Sequence, residues 1–272
     1  MNQNNPNGWS LTASEREDYA KNGLVVPAVR LSSDDVANLC ELLTETLAKT
    51  PGQRSETLVC PHVEGMNGLP REITDKWLAV CQRPEFLDLV SDLIGDDMML
   101  WGSQLFCKPP RTGLEVPWHQ DGHFWPIEPL ATCTLWLAID NVDAENGAML
   151  YVPGSHSAAQ LFAHAEQPSE ESALNAEMLS SEVDLDRIEV DELPAGAFSL
   201  HDIYLVHGSK PNLSDRRRAG FVIRYMPTSS HYDRASARSG SNHVATNLAD
   251  RPLFLLRGED HTDKTGVYDL RK

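Results

Sequence analysis

The sequence lacks the features that would span a membrane or tie a small fold together with disulfides. No run reaches about 18 apolar residues, so we expect no transmembrane helix. The N-terminal residues form neither a basic n-region nor an apolar h-region, so we expect no secretory signal. The five cysteines are widely spaced, and no pair has the CxxC spacing of zinc fingers or thioredoxin-like sites. We therefore expect reduced thiols and a cytoplasmic location.

Positive charge is also scarce. The chain of 272 residues has 23 Lys and Arg against 40 Asp and Glu, for a formal net charge of −17. Because nucleic acids and anionic membranes bind positive surfaces, we expect neither as a partner. Apolar residues make up 41 % and charged residues 23 %, which is typical of a globular chain. We predict one domain over residues 1–272, as a monomer or a dimer.

The local patterns divide the chain into helices followed by strands. Helical spacing of apolar residues with capping signals predicts helices over residues 11–22, 34–48, 71–80 and 84–94, within a helical part of about 9–95. Short runs rich in β-branched and aromatic residues then predict a β-sandwich or barrel over about 96–230, followed by a C-terminal tail over 231–272. Within the β part, the acidic stretch 160–192 is expected to form a helical insertion or a mobile lid.

Histidine and acidic residues recur at a spacing that could bind a metal. The pattern His-x-Asp/Glu occurs five times among ten histidines, and 40 acidic residues make chance matches common. The pattern alone therefore identifies no site. The five pairs are His62/Glu64, His119/Asp121, His164/Glu166, His231/Asp233 and His261/Asp263.

The context of one pair is more informative. His119 and Asp121 follow a turn and precede the strand-like run CTLWLAID, and residues i and i+2 of a strand share a face. His207, in the run FSLHDIYLVHGS, is the best candidate for a third ligand. Two His and one carboxylate on one side of a metal leave the other side open, as in non-haem Fe(II) oxygenases. Zinc accepts the same ligands, so the set leaves both metals open.

A group of cations follows His207. An arginine that enters the strand AGFVIRY can point into a barrel and hold a carboxylate through two parallel hydrogen bonds. A metal ligand set together with a buried arginine fits a carboxylate co-substrate that also chelates iron. The cations are Lys210, Arg216, Arg217, Arg218 and Arg224.

Three runs resemble the phytanoyl-CoA dioxygenase family, and they occur in the family's order over about residues 23–227. They are KPPRTGLEVPWHQDGHFWP, LWLAIDNVDAENGAMLYVPGSH and LHDIYLVHGSKPNLSDRRRAGFVIRYMP. The resemblance implies an α+β fold with a double-stranded β-helix (jelly-roll, cupin-like) core flanked by N-terminal helices. It also implies an oxygenase that depends on Fe(II), 2-oxoglutarate and O2.

The resemblance assigns roles to particular residues. His119, Asp121 and His207 match the iron ligands. Arg218 matches the arginine that binds the distal carboxylate of 2-oxoglutarate, and Arg217 is the alternative if the alignment shifts by one residue. Four further residues match the co-substrate pocket, namely Ser209, Thr134, Trp136 and Gln104. Three are candidates for the substrate pocket, namely Trp125, His123 and Lys108.

The function implied is hydroxylation of an aliphatic C–H with release of succinate and CO2. Halogenating relatives carry a small residue in place of the carboxylate, so Asp121 favours hydroxylation. No second basic cluster is available for the phosphates of an acyl-CoA, so we expect the substrate to be a small polar metabolite or natural product. Two alternatives are a zinc-dependent hydrolase that uses the same triad to activate water, and a non-catalytic jelly-roll binding protein.

Overall fold

A computed structural model of the chain describes residues 8–166, 172–179, 184–239, 249–260 and 267–269. Four helices precede most of the strands, and their ends agree with the predicted ones to within two residues. Thr12 and Ser32 cap the first two helices in capping boxes with Glu15 and Asp35, as their sequence spacing predicts. The helices are α1 (Ala13–Asn22), α2 (Ser33–Lys49), α3 (Arg71–Cys81), α4 (Pro84–Ile94) and α5 (Arg234–Ser239).

The strands form two main sheets that enclose a cavity. The strands are β1 (Leu24–Val25), β2 (Leu58–Val59), β3 (Met98–Lys108), β4 (Val116–His119), β5 (Ile127–Glu128), β6 (Cys133–Ala138), β7 (Met149–Tyr151), β8 (His164–Glu166), β9 (Ala176–Met178), β10 (Glu189–Asp191), β11 (Phe198–Asp202), β12 (His207–Ser209), β13 (Arg218–Pro227), β14 (His231–Tyr232), β15 (Leu253–Arg257) and β16 (Val267–Asp269). The larger sheet has the order β1-β11-β6-β13-β3-β15-β16, and β2 also pairs with β3. The smaller sheet has the order β10-β7-β12-β4. This arrangement is the predicted jelly roll.

The two faces of the larger sheet have different chemistry because successive side chains of a strand point to opposite faces. On β13, Phe221 and Ile223 pack in the main hydrophobic core with Leu43, Trp77 and Phe86 of the helices. The alternate residues of the same strand face the cavity between the sheets. The helices therefore cover one face of the sheet, and the other face is left to build a site.

Two stretches differ from the predicted organisation. After residue 230, β15 pairs with β3 and β16 pairs with β15, so the predicted tail adds strands to the larger sheet. The described residues of the 160–192 stretch form strands and one 3₁₀ turn, Leu185–Arg187, but no α-helix. The rest of that stretch, residues 167–171 and 180–183, and the pair His261/Asp263 lie outside the described residues.

All five cysteines are free thiols, and four of them are buried. Across the described part of the chain, no helix has both the length and the apolar character needed to cross a bilayer.

Candidate active site

Three predicted ligands meet at one end of the smaller sheet. His119 ends β4, Asp121 begins the 3₁₀ turn that follows, and His207 begins β12 directly opposite His119 in the antiparallel pair. One ligand atom from each residue lies within 4.8 Å of the others, and all three residues are buried. Nε2 of His119 is 3.6 Å from Oδ1 of Asp121. The cluster can therefore contact a single ion.

The backbone fixes which nitrogen of each imidazole is free. Nδ1 of His119 donates to the Pro117 carbonyl over 2.8 Å, and Nδ1 of His207 donates to the Leu205 carbonyl over 2.9 Å. A carbonyl only accepts, so the proton of each neutral ring sits on Nδ1 and the lone pair on Nε2. Burial, followed by the neighbouring His119, lowers the pKa of His207 well below its usual range. Both features suit metal ligation.

Asp121 is held as a carboxylate. Burial acts to raise its pKa, but the neighbouring rings of His119, His201 and His207 and the positive charge of Arg224 hold the pKa well below its usual range. Thr134 Oγ1 donates to Oδ2 over 3.4 Å, and Nε2 of His201 lies 3.6 Å from the same oxygen. Oδ1 is left facing His119. Two neutral imidazoles and one carboxylate form a donor set that fits a divalent transition metal.

A cavity of about 330 Å³ opens beside this cluster. Its walls come from both sheets and are mostly apolar or aromatic, with a few polar groups, which is typical of a small-molecule site. Six of the predicted co-substrate and substrate residues line it: Gln104, Trp125, Thr134, Trp136, Ser209 and Arg218.

One end of the cavity is built around a buried arginine. Arg218 donates to the Gly147 carbonyl through Nε (3.0 Å) and Nη2 (2.8 Å), and its guanidinium lies 5.3 Å from the ring of Trp136. Ser209 Oγ accepts hydrogen bonds from Lys108 Nζ (2.7 Å) and Arg218 Nη2 (3.4 Å). A hydroxyl that accepts twice keeps its own hydrogen to donate. This end of the cavity therefore presents donors suited to a carboxylate.

The neighbouring Arg217 has a different environment. It forms a two-pronged ion pair with Asp140, with both N–O distances at 2.8 Å, and it does not line the cavity. Of the two predicted alternatives, the geometry favours Arg218.

Two predicted substrate-pocket residues do not line the cavity. His123 is exposed and stacks on His164, with ring centroids 3.9 Å apart. Lys108 is fully buried behind the wall, where burial lowers its pKa to about 6. Its Nζ donates to Ser209 Oγ and to the carbonyl of Lys210. Lys108 therefore orients Ser209 from behind and is not positioned to contact a substrate.

The cavity also contains residues that the sequence analysis did not select as site residues. His201, Trp101, Tyr232 and Arg251 all line it. Position 201 lies on the inward face of a predicted strand, so strand alternation could have indicated His201. Arg251 lies in the predicted tail, where no motif marked it.

Gly220 lies directly under Trp136 and gives a test of this wall. A Cβ added at Gly220 would lie 2.3 Å from the Trp136 ring, so Gly220→Ala must displace the indole. Overpacking of this kind costs about 1–3 kcal/mol of unfolding free energy. We expect a lower urea midpoint and weaker 2-oxoglutarate binding, because Trp136 packs on Arg218. In the control Gly102→Ala, the nearest atom to the new Cβ is 3.5 Å away, so an equal loss of stability there would contradict the argument.

A jelly roll whose inner cavity holds two histidines and one aspartate defines the class of non-haem iron oxygenases that depend on 2-oxoglutarate. Sequence comparison agrees, because the profile of the phytanoyl-CoA dioxygenase (PhyH) family matches residues 19–220. The chain belongs to the phytanoyl-CoA dioxygenase family. It is a 2-oxoglutarate-dependent oxygenase that uses Fe(II), 2-oxoglutarate and O2.

Relatives of known sequence align over most of the chain. A protein of Stutzerimonas stutzeri described as a probable alpha-ketoglutarate-dependent hypophosphite dioxygenase is 28 % identical over 227 residues, covering 79 % of this chain and 78 % of the relative. Peroxisomal phytanoyl-CoA dioxygenase of Rattus norvegicus is 26 % identical over 252 residues, covering 85 % of this chain and 73 % of the relative.

Solved structures share the fold. The non-haem monooxygenase ThoJ superposes with a TM-score of 0.70 at 22 % identity, covering 93 % of this chain and 85 % of that one. EctD from S. alaskensis, in a structure with 2-oxoglutarate and 5-hydroxyectoine, superposes with a TM-score of 0.67 at 19 % identity, covering 86 % of this chain and 81 % of that one.

Proposed function

We propose that the enzyme hydroxylates an aliphatic C–H of a small polar metabolite or natural product, with release of succinate and CO2. The observation that carries the proposal is the position of the His119, Asp121 and His207 cluster in a cavity that ends at Arg218. A cavity of about 330 Å³ has to receive the co-substrate as well, which favours a small substrate.

The roles of the residues follow from their contacts. His119, Asp121 and His207 would hold Fe(II), which with bound 2-oxoglutarate supplies the oxidation of the C–H bond. Thr134 donates to Oδ2 of Asp121 and His201 lies beside the same oxygen, which would leave Oδ1 available for the metal.

At the other end of the cavity, Arg218 and Ser209 would bind the distal carboxylate of 2-oxoglutarate. Charge-assisted hydrogen bonds in a buried site fix both the position and the orientation of the anion. Phe106, Met149 and Val222 line the space between and limit the entry of water, which protects a reactive centre from side reactions.

The carboxylate of Asp121 supports hydroxylation in particular. It occupies a third ligand position, and its ionised form is stabilised by its neighbours. No position on that side is left for a halide.

The first test is an anaerobic titration of the metal-free protein with Fe(II) and then 2-oxoglutarate. We expect a weak visible charge-transfer band near roughly 500 nm, as for an Fe(II) site with open positions, and succinate release once O2 and a substrate are supplied. Iron binding without the band would contradict co-substrate binding and favour the zinc-dependent hydrolase. Failure to bind any metal would favour the non-catalytic binding protein.

A further inference from the structure

A pair of arginines lines the cavity at a distance from Arg218. Arg224 and Arg251 are only 9 % and 8 % exposed, and both belong to the cavity wall. Within the described residues, neither forms a salt bridge within 4 Å. Arg224 donates to Gln104 Oε1 over 3.2 Å, and Arg251 has a long contact of 3.9 Å with Cys60 Sγ.

Three of the unsatisfied buried groups beside these arginines are donors only, and the Tyr232 hydroxyl and both ring nitrogens of His201 also lack partners within the described residues. Nε of Arg224, Nε of Arg251 and Nε1 of Trp101 are buried and have no hydrogen-bond acceptor among the residues that the structure describes. Buried donors without acceptors are rare and costly in native proteins. Three of them on the wall of one cavity call for a ligand rich in acceptors.

The aromatic neighbours hold the two guanidinium groups without neutralising them. Arg251 lies 4.5 Å from the ring of Trp101 and 4.6 Å from that of Tyr232, and Arg224 lies 5.0 Å from the ring of Trp125. Gly102 lies beneath both, because a Cβ added there would be 3.5 Å from Nη1 of Arg251 and 3.9 Å from Cδ of Arg224. The two guanidinium groups are therefore held in place by packing against aromatic rings.

This pair is distinct from the 2-oxoglutarate end of the cavity. Arg218 and Arg224 face the same side of β13 six residues apart, which corresponds to about 20 Å between their Cα atoms. In the sheet, Arg224 is paired with Thr134, the residue that bonds Asp121, so it lies level with the metal cluster. A 2-oxoglutarate that reaches from the metal to Arg218 extends away from this pair.

The charges lead to the same conclusion. The dianion of 2-oxoglutarate would offset Fe(II), the carboxylate of Glu56 acts on Arg218, and that of Asp121 acts on Arg224. Two arginines therefore share one nearby carboxylate, and Arg251 has no carboxylate within 4 Å among the described residues. An excess positive charge in a buried site is strongly unfavourable.

We infer that Arg224 and Arg251 bind an oxyanion group of the substrate, so that the substrate is a small aliphatic carboxylate, phosphonate or sulfonate. The inference rests on the proposed function, whose metal centre would act on a carbon next to this anion. Both arginines lie beyond residues 19–220, which match the family profile, so they suit a substrate contact better than a co-substrate contact shared by the family.

The test uses the anaerobic protein loaded with Fe(II) and 2-oxoglutarate. Propylphosphonate, propanesulfonate and butyrate are titrated separately, with butyramide and propylammonium as neutral and cationic controls. The readouts are the shift of the visible band and the quenching of tryptophan fluorescence, since Trp101 and Trp125 contact the arginines. We expect at least one of the three oxyanions to bind, and neither butyramide nor propylammonium to bind. The oxyanion that binds most tightly identifies the head group of the substrate.

Substitutions assign the binding to the two arginines. Arg224→Gln and Arg251→Gln each remove one charge-assisted contact, which should lower the affinity for the oxyanion about tenfold or more. Arg224→Lys should recover part of that loss. Arg216→Gln is the matched control, because Arg216 is exposed and paired with Asp143, and it should leave binding unchanged.

The outcomes separate this inference from the proposed function. If the Fe(II) and 2-oxoglutarate band forms but no oxyanion binds better than butyramide, only the inference fails. If the arginine variants instead raise the 2-oxoglutarate concentration needed for the band, the pair belongs to the co-substrate and the inference is wrong. If the band never forms, the proposed function fails, and anion binding to the metal-free protein, followed by fluorescence, still tests the arginine pair.

Discussion

Replacing His207 with alanine is expected to remove Fe(II) binding and to abolish turnover. The substitution leaves only His119 and Asp121, and a buried pair of ligands cannot fill one side of the ion. Partners in the outer shell of a metal site already change affinity by 10–100-fold when mutated, so the loss of a direct ligand should cost more than about 100-fold. Metal content after dialysis against Fe(II), and succinate release, measure the two effects.

The control for this experiment is His231→Ala. His231 belongs to another His-x-Asp pair and lies on β14, but it does not line the cavity. We expect this variant to keep its iron and its activity. An unchanged circular dichroism melt for His207→Ala would show that the loss is local, and retention of iron at the wild-type level would overturn the ligand assignment.

Much of the fold could be predicted because its local signals are strong. The capping boxes at Thr12 and Ser32 and the apolar spacing that follows each place α1 and α2 to within two residues. The two faces of β13 are less readable, since Val222 on the cavity side is as apolar as Phe221 and Ile223 on the core side. Only Arg218 and Arg224 mark the cavity side of this strand. The strands after residue 230 were missed because pairing with β3 depends on tertiary contacts and not on local composition.

The metal cluster was predictable only in part. His-x-Asp/Glu occurs five times in the sequence, so spacing alone could not select the pair at 119 and 121. The placement of His207 opposite His119 depends on the jelly-roll crossing of β4 and β12, which no local pattern reports. The expectation that His119 and Asp121 share one face of a strand was wrong, because Asp121 lies in the turn that follows the strand.

Side chains whose environment is decided by distant residues were the hardest to predict. Lysine is seldom buried, so nothing in the sequence indicates that Lys108 is buried or that its Nζ donates to Ser209 Oγ. His123 follows the metal ligands closely, yet the turn exposes it and leaves it stacked on His164. Arg251 reaches the cavity from a segment that carries no motif.

Replacing Arg218 with glutamine is expected to raise the 2-oxoglutarate requirement without loss of iron. The substitution leaves a buried carboxylate without its cationic partner, which costs about 2–5 kcal/mol, or roughly 30- to several-thousand-fold in affinity. The measurement is the 2-oxoglutarate concentration at half-maximal band intensity, together with metal content. Arg217→Gln is the matched control, since its ion pair with Asp140 lies outside the cavity lining and its loss should change that concentration less than about twofold.

The comparison of Arg218→Gln with Arg224→Gln then tests the division of the cavity. If the two ends bind different anions, Arg218→Gln should weaken the binding of 2-oxoglutarate and leave the binding of the oxyanion probe unchanged. Arg224→Gln should weaken the binding of the oxyanion probe and leave that of 2-oxoglutarate unchanged. Because the two Cα atoms are about 20 Å apart, the effects should combine additively in the double variant. If Arg217→Gln weakened 2-oxoglutarate binding more than Arg218→Gln does, Arg217 would be the residue that binds its carboxylate. If Arg218→Gln and Arg224→Gln affected both ligands equally, the cavity would have a single anion site.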